Sequence, residues 1–489
     1  MKKRMPKGIN QLYIIQMAIT FSYAVIFSSL SLFLTRKIGF SAGLAGETIG
    51  LFLAFNYALH LLAGYIGGRL LSNRSLILIS TVCQILGFAV LGLNSGSTVY
   101  IGLCLFLVGC GINVTCYNCI LVSRFGDSKE EDSRRKSASF MSYCFMNAGF
   151  FLGFTTSGYF ESIASYNSIF FIGNIFNFVA LSMVLISWKN LKETDTILAD
   201  LCESNISKKR LKGLIAIIAC VPLMLVGFRF PVISNSLVVM LGGLMFSLIY
   251  IKARTQLDNL ARKNISIFII LSLASIVFWM IYFVGPMSVT LFIKNNTDTT
   301  IMGYDIQPQW FNNINASIII CGSPALAYIF RYLGERNINI SEFTSFSVAI
   351  LLISLSFFML VNGINHAMPN GMTKSSWVVI YYVLQSLGEL FIGPVGCAMI
   401  GRLAPLGMRG LLMGTFMLSS GIGASISSYF ASLMSNPSNN SPILTNNIYH
   451  DTFLKLGESG LVMVIILLSV SYFIYASNKR SEIQLKTGT

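Results

Sequence analysis

Hydrophobic residues gather in long runs separated by short polar segments. The runs fall near 11–35, 47–71, 75–95, 98–123, 138–160, 165–188, 212–229, 232–251, 265–293, 310–331, 342–362, 376–402, 406–434 and 456–477. About 20 apolar residues in a helix cross the hydrocarbon core of a bilayer, so the pattern predicts fourteen transmembrane helices. The seventh and eighth runs are short, are joined by Phe228-Arg229-Phe230-Pro231, and sit between two blocks of six. A six, two, six arrangement follows. The first run, from Leu12 to Thr35, stands behind a basic start at Met1–Lys7; it is too long for the core of a cleavable signal and lacks a small-residue cleavage site. It is expected to remain as the first span.

Polar segments mark the joints: mixed-charge Gly126–Ser137, a polar linker at Lys189–Lys212, and an outer loop at 435–455 rich in Asn, Ser and Pro. The expected organisation is an N-terminal six-helix bundle over 1–190, a cytoplasmic linker with two extra helices over 191–264, a C-terminal six-helix bundle over 265–478 and a tail over 479–489. Two six-helix halves about a long central connection is how major facilitator transporters are built, with a site near the bilayer midplane between the halves.

Composition fits an all-α polytopic membrane protein and excludes a string of small soluble domains. The chain is 54% hydrophobic with a mean hydropathy of +0.70, and only 11% is charged, against about 25% in soluble domains. The net charge of +15 would point to nucleic acid in a soluble chain, yet its placement removes that reading. With the N-terminus inside, 28 of the 34 Lys and Arg residues fall in cytoplasmic segments, and the outer loops hold only Arg36, Lys37, Arg229, Lys294, Lys374 and Lys455. The positive-inside bias therefore places both termini in the cytoplasm and the chain in the cell inner membrane, with the lipid bilayer and not nucleic acid as its surroundings.

Most of the ten cysteines lie in apolar runs, as Cys83, Cys104, Cys220 and Cys321 do, where a free thiol behaves as a small hydrophobe. Cys116 and Cys119 have C-x-x-C spacing, but no strand-helix context or second ligand pair surrounds them, so packing is the expected role. No nucleophile–base pair, phosphate loop or ligand cluster is present; no enzyme activity, metal or cofactor is expected.

An ionisable group at mid-membrane costs about 2.5–3.5 kcal/mol even on lenient scales, so the few present carry information. Glu389 lies in the middle of run 376–402, within Leu387-Gly388-Glu389-Leu390-Phe391-Ile392-Gly393-Pro394. It binds a cation or carries a proton, or it is a protonated carboxyl tied to a neighbouring helix. His60 at mid-span titrates near neutral pH or is a satisfied structural histidine. Asn147 and Asn315 can offer a donor and an acceptor to a solute amide, or bond between helices. Gly393 and Pro394 weaken their helix and are candidates for a gating bend or a static kink.

The string Gly388-Glu389-Leu390-Phe391-Ile392-Gly393-Pro394-Val395-Gly396, continuing through Leu403-Ala404-Pro405 to Met413-Gly414, resembles the tenth and eleventh helices of proton-coupled oligopeptide transporters. Phe21-Ser22-Tyr23, Tyr57 with Gly64-Tyr65, Gly109 with Gly111, Arg134-Arg135 leading to Tyr143, Asn147 and Gly149, and Trp310-Phe311 with Asn315 and Pro324 extend the likeness in patches along most of the chain. The resemblance implies a secondary transporter working by alternating access, with two extra central helices as in bacterial members. It implies that Glu389 holds a peptide's amino group, that Asn147 and Asn315 bond its backbone, and that Tyr57, Tyr23 and Trp310 belong to the binding site. Glu389 and His60 become the candidates for proton coupling.

The departures are as informative. The family's first-helix E-x-x-E-R signature aligns with Gln16, Ile19 and Thr20, its next arginine with Phe27, its fourth-helix lysine with Val114, and its seventh-helix acid with Phe283. Gly68 stands beside Arg69 where a loop Asp is usual. A salt-bridge network lost together avoids an orphaned charge. The expected cargo is therefore an amine-bearing solute, a di- or tripeptide or a modified peptide, with a proton as possible partner and the monomer as functional unit. The alternative is a carrier for a siderophore-like or amino-acid-derived metabolite, importing or exporting, without obligatory proton coupling; a polytopic membrane enzyme is a remote one.

Overall fold

Small polar residues cap the starts of several helices. Ser41, Ser72 and Ser341 each accept a hydrogen bond from a backbone N–H three residues on, and Asp258 accepts from Ala261 N–H at 2.9 Å, which satisfies donors a helix start leaves open. The computed structural model describes residues 6–125, 129–193, 198, 203–256, 258–301, 303–335, 341–403, 409–434 and 441–487. The helices are α1 (Ile9–Leu32), α2 (Ala42–Ile66), α3 (Asn73–Leu91), α4 (Val99–Val122), α5 (Lys129–Ser162), α6 (Tyr166–Ile186), α7 (Glu203–Arg229), α8 (Pro231–Gln256), α9 (Asn259–Val284), α10 (Thr290–Asn296), α11 (Pro308–Glu335), α12 (Glu342–Asn365), α13 (Ser375–Leu403), α14 (Arg409–Leu433) and α15 (Pro442–Thr487).

α9 runs through a π-helical turn, Gly285–Val289, into α10, making one rod. Pro286 in that turn has no N–H to give, and a π-bulge absorbs the missing bond. Among the described residues, 11 helices are long and apolar enough to cross a membrane. α5, α11 and α14 complete two sets of six by position. In α11 the early asparagines Asn312, Asn313 and Asn315 dilute the apolar signal. Two short ladders supplement the helices: β1 (Thr297–Asp298) runs parallel to β4 (Thr373–Lys374), and β2 (Thr300–Ile301) antiparallel to β3 (Tyr304–Asp305).

Several boundaries differ from the sequence pattern. The second helix is Ala42–Ile66 rather than 47–71, because Ser41 caps its start and Gly68 turns the chain at φ +70°. The loop expected over 435–455 is helical from Pro442, since Tyr449, Phe453 and Leu456 bury one face. The mixed-charge segment joins α5 from Lys129. In the polar linker, Leu191 is fully buried in the N-terminal core and Glu193 accepts from Asn73 N–H at 2.7 Å, capping α3.

The two sets of six repeat one packing scheme. α1 packs on α5 and α6, α3 on α4 and α6, and α2 on α4; α9 packs on α14 and α15, α12 on α13 and α15, and α11 on α13. With α9 and α11–α15 as counterparts of α1–α6, the partners match. The halves then meet through α2 on α14 and α5 on α11, the exchanged pairing that a pseudo-two-fold axis requires. α7 and α8 flank this assembly against α4 and α14, and only 22% of an apolar 18-residue stretch in each is buried, as for helices facing lipid.

At the end of the bundle away from the N-terminus, both seams are tight. A Cβ on Gly50 would lie 2.6 Å from Ser428 Cβ and 2.9 Å from Ala424 O, so α2 and α14 approach as closely as glycine allows. Gly158 of α5 gives the same room to Trp310 of α11.

Candidate functional site

Side chains three and four apart share a helix face, and five helices each bring such a stripe to one place. α5 contributes Asn147, Phe150 and Phe154; α13 contributes Tyr382, Gln385 and Glu389; α9 contributes Trp279, Tyr282 and Phe283; α11 contributes Asn312 and Asn315; α1 contributes Tyr23 and Phe27. Tyr57 of α2 joins them. They enclose a cavity of about 140 Å³ between the two halves.

Glu389 is the one charged side chain among the described lining residues. The Asn315 amide nitrogen donates to Glu389 Oε2 at 2.9 Å and to Ser386 Oγ at 3.1 Å, and the Tyr282 hydroxyl stands within hydrogen-bonding reach of the same carboxyl. Tyr57 faces it from the opposite half. Neutral donors that fix one side of a carboxylate leave the other side to attract a cation, and attraction is strong where water is scarce.

The other predicted residues divide. Asn147 lines the cavity with its amide nitrogen donating to Tyr143 O of its own helix at 2.9 Å, which leaves the carbonyl oxygen and the second N–H for a solute. Tyr23 lines it among the rings of Phe27 and Phe150. Trp310 is not brought there: its indole N–H donates to Thr155 O at 2.9 Å, and it belongs to the α5–α11 seam. His60 is also outside the lining, its Nδ1 bonded to Gly111 O of α4 at 2.6 Å. A carbonyl only accepts, so Nδ1 carries the proton. α13 passes through Gly393 and Pro394 as unbroken helix; the Pro394 side chain lies outside the described residues. The irregular turn beside the cavity is instead Gly285–Pro286, both in its lining. Cys116 and Cys119 are free thiols, the first buried and the second exposed.

Phe27 and Phe283, where the resemblance leads one to expect an arginine and an acid, line the cavity that holds Glu389. Phe283 stacks on Trp279 at 5.5 Å and meets Tyr57 at 5.9 Å; Phe27 meets Phe154 at 6.4 Å. Rings fill the space of the lost charges. Gln16 and Thr20 bond each other at 3.3 Å within α1. Sequence reasoning missed Trp279, Tyr282, Gln385, Asn312, Phe150, Phe154 and Tyr382. The signal was available: Gln385 and Tyr382 sit four and seven residues before Glu389, on its own face.

Residues 74–449 match the POT family. Across 95% of this chain and 93% of the other, the sequence is 26% identical to a dipeptide and tripeptide permease A of Chromobacterium violaceum. It is 27% identical to a dipeptide and tripeptide permease B of Yersinia enterocolitica, over 94% of this chain and 93% of that one. Among solved structures, it superimposes on a peptide transporter POT in complex with alafosfalin with a TM-score of 0.82 at 23% identity, covering 96% of this chain and 95% of that one. A POT family transporter in complex with 5-aminolevulinic acid gives 0.82 at 20% identity, covering 96% and 97%. The structural likenesses give the major facilitator fold, and with a family match spanning well over half its length, the chain belongs to the POT family.

Proposed function

We propose that the protein is a multi-pass inner-membrane transporter that carries small peptides by alternating access, holding the peptide's amino group at Glu389. The observation that carries this reading is the Glu389 carboxyl, oriented by Asn315 and set in a cavity at the seam of two symmetry-related halves. The names of the permease relatives and of the peptide transporters among the structural neighbours support a peptide cargo. A carrier needs no catalytic group, and none is assigned.

On this reading the six, two, six division follows 1–190, 191–264 and 265–478 with a tail at 479–489, both termini are cytoplasmic, the monomer is the working unit, and the tight seams close the periplasmic side. The coupling proton is assigned to Glu389. His60, held by α4 away from the cavity, is read as a packing group. Asn147, Asn315, Tyr57 and Tyr23 make up the rest of the site.

The test is uptake of alanyl-alanine into proteoliposomes. A proton gradient directed inward should drive accumulation, and Glu389→Gln, which keeps the shape and removes the charge, should abolish it while the protein still elutes as a monodisperse peak. Uptake indifferent to the gradient contradicts the proton assignment; uptake indifferent to Glu389→Gln contradicts the site. A second reading, an amino-acid-derived amine as cargo, is favoured by the cavity's about 140 Å³, below the roughly 300–1,000 Å³ usual for ligand pockets.

A further inference from the structure

Two polar atoms of residues that line the cavity have no hydrogen-bond partner. Trp279 Nε1, a donor only, and Gln385 Oε1, an acceptor only, are both buried and both unsatisfied. They come from α9 and α13. A buried donor and acceptor left without partners are costly unless a bound species completes them. No basic side chain lines the cavity among the described residues, so nothing there neutralises a second negative charge.

A neutral amide offers what both atoms lack: its carbonyl oxygen can accept from the indole N–H, and its N–H can donate to the glutamine carbonyl. A carboxylate satisfies the indole but brings its other oxygen against an acceptor, and an ester has no N–H to give. The surrounding rings of Phe27, Phe283 and Tyr57 suit an apolar or aromatic body between the amine and that amide. We infer that Trp279 and Gln385 select cargo whose far end is an uncharged amide, so that the carrier prefers carboxyl-blocked, amine-bearing peptides over free di- and tripeptides. The inference rests on the peptide reading above and names the class within it.

The experiment compares binding of alanyl-phenylalanine, its C-terminal amide and its methyl ester to the full-length protein in nanodiscs by calorimetry. The amide should bind at least tenfold more tightly than both the acid and the ester, because a site built to hydrogen-bond a group discriminates against an analogue lacking it. Trp279→Phe and Gln385→Leu, made separately, should each reduce the amide's advantage over the ester to under threefold. Acid equal to or tighter than amide overturns the inference and leaves the peptide reading standing, as does an ester equal to the amide or an advantage that survives both substitutions. Binding of none of the three overturns the peptide reading and this inference with it.

Discussion

At the residue scale, the most informative side chains are those whose partners are shared between helices. Glu389 was legible from its position alone, since a carboxylate in the centre of an apolar run needs a function or a partner. The structure gives it partners, Asn315 and Tyr282. The placement of His60 and Trp310 outside the cavity lining was not legible, because a single sequence does not say which way a helix face turns, and both rotate toward a neighbouring backbone carbonyl. His60→Ala removes one hydrogen bond to α4 and leaves Gly111 O without it. The expected cost is about 1–2 kcal/mol, seen as a fall in Tm of the purified protein, with peptide uptake retained; loss of uptake at unchanged Tm would give His60 a part in transport instead.

At the scale of elements, length and polarity predicted the helices well, and capping chemistry corrected their ends. The 442–455 segment was read as loop from its Asn, Ser and Pro content, yet Asn446 is what anchors it: its amide donates to Gly371 O at 2.7 Å and its carbonyl accepts from Asn296 at 2.9 Å. Polar residues that satisfy buried groups across elements look like loop residues in a sequence. Asn446→Leu strands these partners and should destabilise the protein by about 1–3 kcal/mol, measured as a lowered Tm. The α2–α14 seam makes a sharper claim. Gly50→Val puts branched carbons into Ser428 and Ala424, so spin labels at the ends of α2 and α14 away from the N-terminus should move apart and uptake should fall at least tenfold. An unchanged distance distribution would mean that the seam tolerates the added bulk and is not the closing contact.

At the scale of the whole molecule, the symmetry explains where the cavity around Glu389 lies. Two bundles with the same internal packing, joined by exchanged helix pairs, meet around the cavity that holds Glu389, and the stripes of five helices converge there. The fold was readable because apolar runs and the placement of basic residues report on the bilayer, a uniform solvent. The aromatic filling of the site was only half readable: Phe27 and Phe283 were noted as missing charges, while their meeting around Glu389 depends on helices from both halves, which no local pattern records. What remains is a cavity with one charged side chain among its described lining residues, and the central claim is that Glu389 holds the cargo's amine. The direct measurement is a calorimetric cycle in nanodiscs, with alanyl-alanine and N-acetyl-alanyl-alanine each titrated against the wild-type protein and Glu389→Gln. Acetylation and the substitution should each weaken binding at least tenfold, and the two together should cost little more than either alone, because both remove the same contact. Equal binding of the acetylated and free peptides to the wild-type protein, or fully additive losses, would contradict it.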